Sequence, residues 1–423
     1  MNTEWGNAPA YTPSDTTEHP AFASPLANSW NDGYSHDPGF LASQEELRCM
    51  LFTIAQSAAP TRACSPIDQD RDVEGPSEPR ERTTLRPALS NARRVEYLKN
   101  YVGQVAPWLD MFDSQCTFRV QIPALARTFP ALLNAILAIS ARQMERKKGI
   151  QDSFDSIELY QEAIRLLSPL LQNPDPKVVA ACVLLCCLEM MSARAQDWRR
   201  HLEGCTALFD AFGINGFSSG LLQAIFWCYV RMDLCGALIS DGTQNTLLRP
   251  SKWLAPDCNE DDAAQLFQAA QSPDMHANYA VYLCAKTCEL VSDRTQFVEL
   301  GVQNDCTGET FNRRWLRFMP KSIKLRAASA VSPLWHARRI CGISLANPHQ
   351  GCLNNAIQPL WIAGRLFSHV SEHSIIIDII RKIEAETGWG ACWRIRDLEM
   401  AWGYQISRQE RMTRPVQSPM AVS

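Results

Sequence analysis

Two histidines and a glutamate near the C-terminus have the spacing of a zinc hydrolase motif. His369, Glu372 and His373 fit the pattern H-x-x-E-H, in which two imidazoles bind zinc and the glutamate activates water. Such a site also needs a third protein ligand. The downstream carboxylates that could supply it are Glu384, Glu386 and Glu399. Two exposed histidines at a helix boundary are the interpretation we favour, and a zinc metallopeptidase is the alternative.

The cysteines are the second set of residues that could take part in chemistry. The chain has sixteen of them, and no two form a C-x-x-C pair. The closest groups are Cys182 with Cys186 and Cys187, and Cys284 with Cys288. Both groups lie in apolar stretches that read as buried helices. We therefore interpret them as free thiols that serve as small core side chains, and we predict no metal and no cofactor.

His201 is the third candidate, because it lies one helical turn from Cys205. No aspartate or glutamate has a spacing that would make it an acid–base partner. We predict a buried histidine bound to a backbone group or a carboxylate. The sequence also lacks G-x-S-x-G, G-x-G-x-x-G and a phosphate loop. We therefore predict no catalytic residues and no enzyme activity.

Basic side chains form two clusters that could contact phosphate or direct nuclear import. Three basic residues, Arg146 to Lys148, end a predicted helix. The second cluster lies in a stretch without acids and contains Arg313, Arg314, Arg317, Lys321, Lys324 and Arg326. A solvated helix face is the alternative. Residues 91–423 carry a net charge of only about +3, so direct DNA binding is doubtful.

The first ninety residues differ in composition from the rest, with thirteen acidic and six basic side chains. No lysine or arginine precedes Arg48, and aromatic residues alternate with acids. These aromatics are Trp5, Tyr11, Phe22, Trp30, Tyr34 and Phe40. This composition is typical of acidic activation segments, and an inert tail is the alternative. We predict a disordered acidic-aromatic arm over 1–59 with a short helix near 43–57 that docks on the body, and a proline-rich linker over 60–90.

Beyond the linker, hydrophobic periodicity indicates one helix after another. The predicted helices are 91–106, 130–146, 153–170, 176–194, 197–212, 219–239, 275–293, 310–328, 352–370, 373–386 and 390–408. Asp175 and Ser153 are expected to cap two of them. Short loops favour antiparallel neighbours, so we predict an all-α fold of stacked helical hairpins that form one large domain over 91–423. The longest apolar run, Val178 to Leu188, is shorter than the roughly 20 residues of a membrane span.

Three separated stretches resemble one protein family and occur in the expected order. Residues 95–144 contain WLDMFD, IPALA and PALLNAILAISARQ, residues 197–204 read DWRRHLEG, and residues 358–402 contain QPLWIAGRLF and ETGWGACWRI. They resemble the helical regulatory region of fungal zinc-cluster transcription factors. Family members usually carry a six-cysteine zinc cluster, which this sequence lacks. The resemblance does not extend to DNA-binding residues, so we expect contacts with a DNA-bound transcription factor and with coactivators.

The resemblance implies a transcription regulator in the nucleus, and the layout is similar to trichothecene-type regulators of mycotoxin gene clusters. A pathway-specific activator is therefore expected. In DWRRHLEG we expect Trp198 and Leu202 to point inward and Gly204 to allow a close helix approach. A helical domain that senses a small molecule is a further alternative, and a homodimer is possible. No membrane association is expected.

Overall fold

All described secondary structure is helical. The computed structural model describes residues 34, 36–58, 89–150, 154–172, 175–192, 195–240, 242–299, 301–302, 304, 306–323, 332–347, 349–391 and 393–404. Within these ranges there is no strand, and the predicted all-α fold is confirmed. Residues 1–33 and 59–88 lie outside the described ranges, so most of the predicted arm and the linker remain predictions.

The helices follow one another with short connections. In the first half they are α1 (Pro38–Ala58), α2 (Asn91–Asn100), α3 (Ala106–Leu109), α4 (Thr117–Ala126), α5 (Pro130–Lys148), α6 (Asp155–Leu167), α7 (Pro176–Ser192), α8 (Ala195–Ala211) and α9 (Leu221–Ile239). The second half contains α10 (Ala263–Ala269), α11 (Pro273–Val298), α12 (Gly308–Ile323), α13 (Pro333–Ala346), α14 (Gln350–Leu353), α15 (Ile357–Gly364), α16 (Val370–Thr387) and α17 (Trp393–Ala401). A π-helical turn, Tyr101–Val105, joins α2 to α3.

Local sequence explains where several helices begin and end. Pro130 and Pro176 occupy first positions, where a missing N–H breaks no helical hydrogen bond. The Asp175 carboxylate accepts the N–H of Lys177 at 2.8 Å, as its predicted capping role requires. Gly149 ends α5 in the left-handed conformation. Ser153, the other predicted cap, lies outside the described residues, and its helix begins at Asp155.

The main core is built around α5 and α7, which are buried over most of their length. α6 packs against α5, and α8 and α9 pack against α7. By length and composition α9 could cross a membrane, but 61% of its apolar window is buried in the fold. A core helix of a soluble protein passes the same test, so this is weak evidence for a span.

Helices α13 to α17 form a second hydrophobic core, which contains Leu360, Ile380 and Leu398. Trp389 packs against both cores, and its ring centroid lies 6.0 Å from that of Trp108. Polar contacts join the same two regions. Nε2 of Gln143 donates to the carbonyl of Thr387 at 3.0 Å, and Nε of Arg146 donates to that of Gly388 at 2.5 Å.

The structure departs from the predicted helices in four places. The sequence predicted no helix at α4, α10 or α13. α4 contains Pro123 in its interior, where proline reads as a helix breaker. The predicted helix 352–370 is wrong as one element. It is divided into α14, a 3-10 turn at Asn354–Ala356 and α15, and α16 begins only at Val370.

Two aspartates of the WLDMFD stretch hold the start of α4. The carboxylate of Asp110 accepts the N–H groups of Phe118 and Arg119 at 2.7 and 3.0 Å, and Asp113 accepts that of Thr117 at 2.9 Å. The three N–H groups that begin α4 are thereby satisfied. This stretch, which carried part of the family resemblance, is therefore a capping structure.

We expect the stability of the protein to depend on pH through Asp110. Burial raises the pKa of this carboxyl to about 7, above its value of roughly 3.9 in an unfolded chain. The folded state therefore binds the proton more tightly, and the free energy of unfolding should fall as pH rises from about 4 to about 7. Asp110→Asn should flatten this part of the profile. Urea unfolding of both proteins at pH 5 and pH 8 measures the difference, and an unchanged slope would contradict the assignment.

Candidate functional site

The helix closest to the arm docks on the helical body. α1 packs against α8 and α6, and one of its faces buries Phe40, Leu47 and Leu51 completely. The opposite face exposes Glu45 and Glu46 to solvent. A helix therefore lies where the sequence predicted one, and it begins five residues earlier than expected. We call the surface of α6, α7 and α8 beneath it the α1 socket.

Aromatic side chains close the N-terminal end of the α1 socket. The ring centroid of Tyr34 lies 4.7 Å from that of Phe40 and 5.1 Å from that of Phe154, and Phe40 lies 5.2 Å from Tyr160. The guanidinium of buried Arg142 lies 3.7 Å from the Tyr34 ring centroid, a cation–π geometry. Tyr34 and Phe40 therefore belong to the core. The other four aromatics of the predicted arm precede the described residues.

The floor of the α1 socket holds one buried carboxylate on which four helices converge. Glu189 of α7 is fully buried, and it accepts hydrogen bonds from the Tyr160 hydroxyl of α6 and, at 3.2 Å, from Nε2 of Gln44 of α1. Nδ1 of His201 of α8 lies 2.7 Å from Oε2 of Glu189. Burial and the neighbouring carboxylate raise the pKa of Tyr160 well above its ordinary value, so its hydroxyl remains a donor.

His201 is buried, as predicted, and its closest polar contact is a carboxylate. The short contact with Glu189 is an ion-pair distance without hydrogen-bond alignment, because neither ring nitrogen has a hydrogen-bond partner in the described part of the protein. His201 therefore contributes to the polar floor beneath α1.

Gly204 allows α1 to approach α8 closely. A Cβ atom at this position would lie 2.8 Å from Cδ1 of Leu51 and 2.9 Å from its Cβ, which is too close for van der Waals contact. The predicted close helix approach is confirmed, and its partner is α1. Leu202 is completely buried, as expected. The side chain of Trp198 lies outside the described residues.

The α7 cysteines are buried free thiols, as the sequence predicted. Sγ of Cys186 lies 3.3 Å from Sγ of Cys205, and Cys182 and Cys187 are buried nearby on α7. Burial raises the pKa of Cys187, so its thiol is protonated. Cys284 and Cys288 are half-buried on α11. Among the described residues, no three His, Cys, Asp or Glu side chains are placed to hold a metal ion together.

The H-x-x-E-H residues occupy a helix boundary. His369 precedes α16 and caps it, because its Nδ1 accepts the N–H of Ser371 at 3.2 Å. His373 is buried and stacks on Trp402 with ring centroids 3.7 Å apart. Both of its ring nitrogens have partners. They are the Tyr404 hydroxyl at 2.7 Å and the Phe367 carbonyl at 3.1 Å.

Glu372, which would activate water in the zinc motif, pairs instead with Arg338 at 2.7 Å. The prediction of two exposed histidines is wrong for His373, which is buried and stacks on Trp402 beside the second core. Because these side chains serve in capping and packing, we expect purified protein to contain well under one zinc per chain. Elemental analysis after dialysis measures this, and stoichiometric zinc would contradict it.

The described basic residues are largely paired. Arg313 contacts Glu309 and Arg314 contacts Asp293, at 2.9 and 2.8 Å. Arg146 bonds to the carbonyl of Gly388. The side chains of Arg317, Lys321, Lys324 and Arg326 lie outside the described residues. The nuclear-import and phosphate-contact hypotheses therefore remain predictions.

Comparison with known proteins finds one family that matches part of this helical body. Residues 96–291, a little under half of the chain, match the family described as the fungal specific transcription factor domain. The resemblance inferred from sequence is confirmed over this range, which contains DWRRHLEG and the whole α1 socket. The C-terminal stretch 358–402, which also carried the resemblance, lies outside the match, as does α1 itself.

One relative is the Transcription activator AMTR1 of Alternaria alternata. It is 29% identical over 159 residues, which are 36% of this chain and 19% of the relative. The match thus spans about a fifth of the relative's length. No solved structure matches the chain.

Proposed function

We propose that this protein regulates transcription in the nucleus as an activator. The observation that carries the proposal is the match of residues 96–291 with the fungal specific transcription factor domain. The relative named a transcription activator supports activation in preference to repression. Control of a secondary-metabolite gene cluster, including a mycotoxin cluster, is the narrower form of the proposal and rests on the layout of the sequence.

The proposed mechanism divides the work between the body and the arm. The sequence contains no C-x-x-C pair, and Arg313 and Arg314 are paired with acids, so we propose that a DNA-bound partner brings the protein to its genes. The acidic-aromatic residues ahead of α1 then recruit coactivators, since dispersed aromatics among acids suit binding-coupled folding. α1 anchors this arm to the body through the α1 socket.

The two other functions suggested by the sequence gain no support from the described residues. His369 and His373 are engaged in capping and stacking, which disfavours a metallopeptidase. Two of the best-formed clefts have volumes of about 100 and 160 Å³. Ligand sites commonly measure about 300–1,000 Å³, so these clefts do not favour small-molecule sensing.

Tethering the full chain to DNA tests the proposed function. We expect a fusion of residues 1–423 to an unrelated DNA-binding domain to raise expression of a reporter that carries the matching DNA sites. The DNA-binding domain alone, and the fusion with a reporter that lacks the sites, are the controls. Reporter expression equal to that of the DNA-binding domain alone would contradict activation, and lower expression would indicate a repressor.

A further inference from the structure

We propose that the α1 socket is a reversible helix-docking site, and that two copies of this chain associate by exchanging α1. Each α1 would then occupy the socket of the other copy. This inference goes beyond the proposed function, because it concerns how copies of the protein assemble.

The α1 socket recognises a specific pattern of side chains along one face of a helix. Phe40 packs against Tyr160, Gln44 donates to Glu189, and the Leu51 side chain covers Gly204. With Leu47, these positions recur at spacings of three and four residues, the pattern by which an amphipathic helix fills a groove. α1 is the helix whose sequence matches this surface, so α1 of a second copy is the occupant with the right chemistry.

The polar groups at this contact indicate that it can open. Ser43 and Gln44 of α1 are buried against a floor that contains Glu189 and His201. A permanent core gains little from such groups, because removing them from water costs about as much as their contacts return. When the helix leaves, water can hydrate the same groups, so opening costs less than exposing a purely apolar face. Buried polar groups of this kind suit a contact that separates and re-forms.

The length of the chain permits both arrangements. Thirty residues, 59–88, connect α1 to the next described residue, and a chain of that length spans up to about 100 Å when extended. α1 can therefore reach the socket of a neighbouring copy as well as its own. Exchange keeps every contact at the socket identical, so it has a low free-energy cost. Each pair of copies would carry two arms.

Co-purification of two differently tagged full-length copies tests the exchange. Leu47→Asp places a charge on the buried face of α1, and Gly204→Leu fills the space that Leu51 needs. We expect wild-type copies to co-purify, and each variant paired with itself to lose this by about tenfold or more, since a buried unpaired carboxylate is strongly unfavourable. The Leu47→Asp copy paired with the Gly204→Leu copy should co-purify again. The unchanged α1 of the Gly204→Leu copy fits the unchanged socket of the Leu47→Asp copy.

Leu41→Asp is the matched control, because Leu41 lies on the outward face of α1 and is 44% exposed. It should leave co-purification unchanged. Co-purification of Leu47→Asp with itself at the wild-type level would overturn the proposal, because the copies would then associate elsewhere. Failure of wild-type copies to co-purify, with monomer mass at all concentrations, would also overturn it.

A competition measurement on wild-type protein avoids dependence on how the variants fold. An excess of a synthetic peptide of residues 34–58 should displace α1 and reduce the co-purification of wild-type copies, and the same peptide with Leu47→Asp should not. If both peptides have no effect, or equal effects, the exchange of α1 is excluded.

Discussion

Replacing Glu189 with leucine should lower the free energy of unfolding by about 3 kcal/mol, because removing one partner from a buried polar cluster leaves the others unpaired. The substitution leaves the Tyr160 hydroxyl and the Gln44 amide without their acceptor in the floor of the α1 socket. Each unsatisfied buried donor costs roughly 1–3 kcal/mol. Urea unfolding of the full chain measures the loss, and hydrogen exchange should show that the amides of α1 lose protection first.

Two matched variants separate this effect from simple substitution. Glu189→Gln keeps an oxygen that can accept from Tyr160, so we expect a smaller loss. Glu46→Leu changes the same residue type on the exposed face of α1 and should alter stability by no more than about 0.5 kcal/mol. If Glu189→Leu unfolds at the wild-type urea concentration, the cluster does not stabilise the docked helix.

Removing the aromatic side chains of the arm should abolish most of the activity in the tethered reporter. The four residues that precede the described structure and would be changed to alanine are Trp5, Tyr11, Phe22 and Trp30. Aromatic anchors supply much of the binding energy at protein interfaces, and a loss of about 1.4 kcal/mol already reduces binding tenfold. We therefore expect reporter expression to fall about tenfold or more with no change in thermal stability.

A control variant replaces residues of similar position and different chemistry. These are Thr3, Thr12, Thr16 and Thr17, each changed to alanine, and reporter expression should remain at the wild-type level. Tyr34 and Phe40 are left intact, because both are completely buried and changing them would alter stability as well as activity. Full reporter activity without the four arm aromatics would contradict the role of the arm.

Local sequence predicted those features of the α1 socket that depend on one helix at a time. The apolar face of residues 43–57 indicated a docked helix, whereas the close approach at Gly204 was implied by the family resemblance of DWRRHLEG. The buried carboxylate at its centre was missed, because Glu189 lies in a long apolar run and its partner Gln44 is 145 residues away in sequence. The available signal for Glu189 and for Gln44 was a polar residue on an otherwise apolar helix face.

The motif at the C-terminus shows a different limit of sequence reasoning. The spacing of His369 and His373 is the same whether both lie inside one helix or the first one caps it. Only the start of α16, which depends on how α15 packs against it, distinguishes the two cases. The helix at α13 was missed for a related reason, since it depends on the second core that the distant helix α16 completes.

Deletion of the gene followed by profiling of all transcripts, under conditions in which the gene is expressed, tests the central claim most directly. We predict reduced transcription of a defined set of genes, and a contiguous block of neighbouring genes would identify the pathway. Restoration by the full chain, and lack of restoration by the variant without the four arm aromatics, would link the effect to the proposed mechanism. Unchanged transcripts together with an altered metabolite or peptide profile would contradict transcription regulation and favour an enzyme.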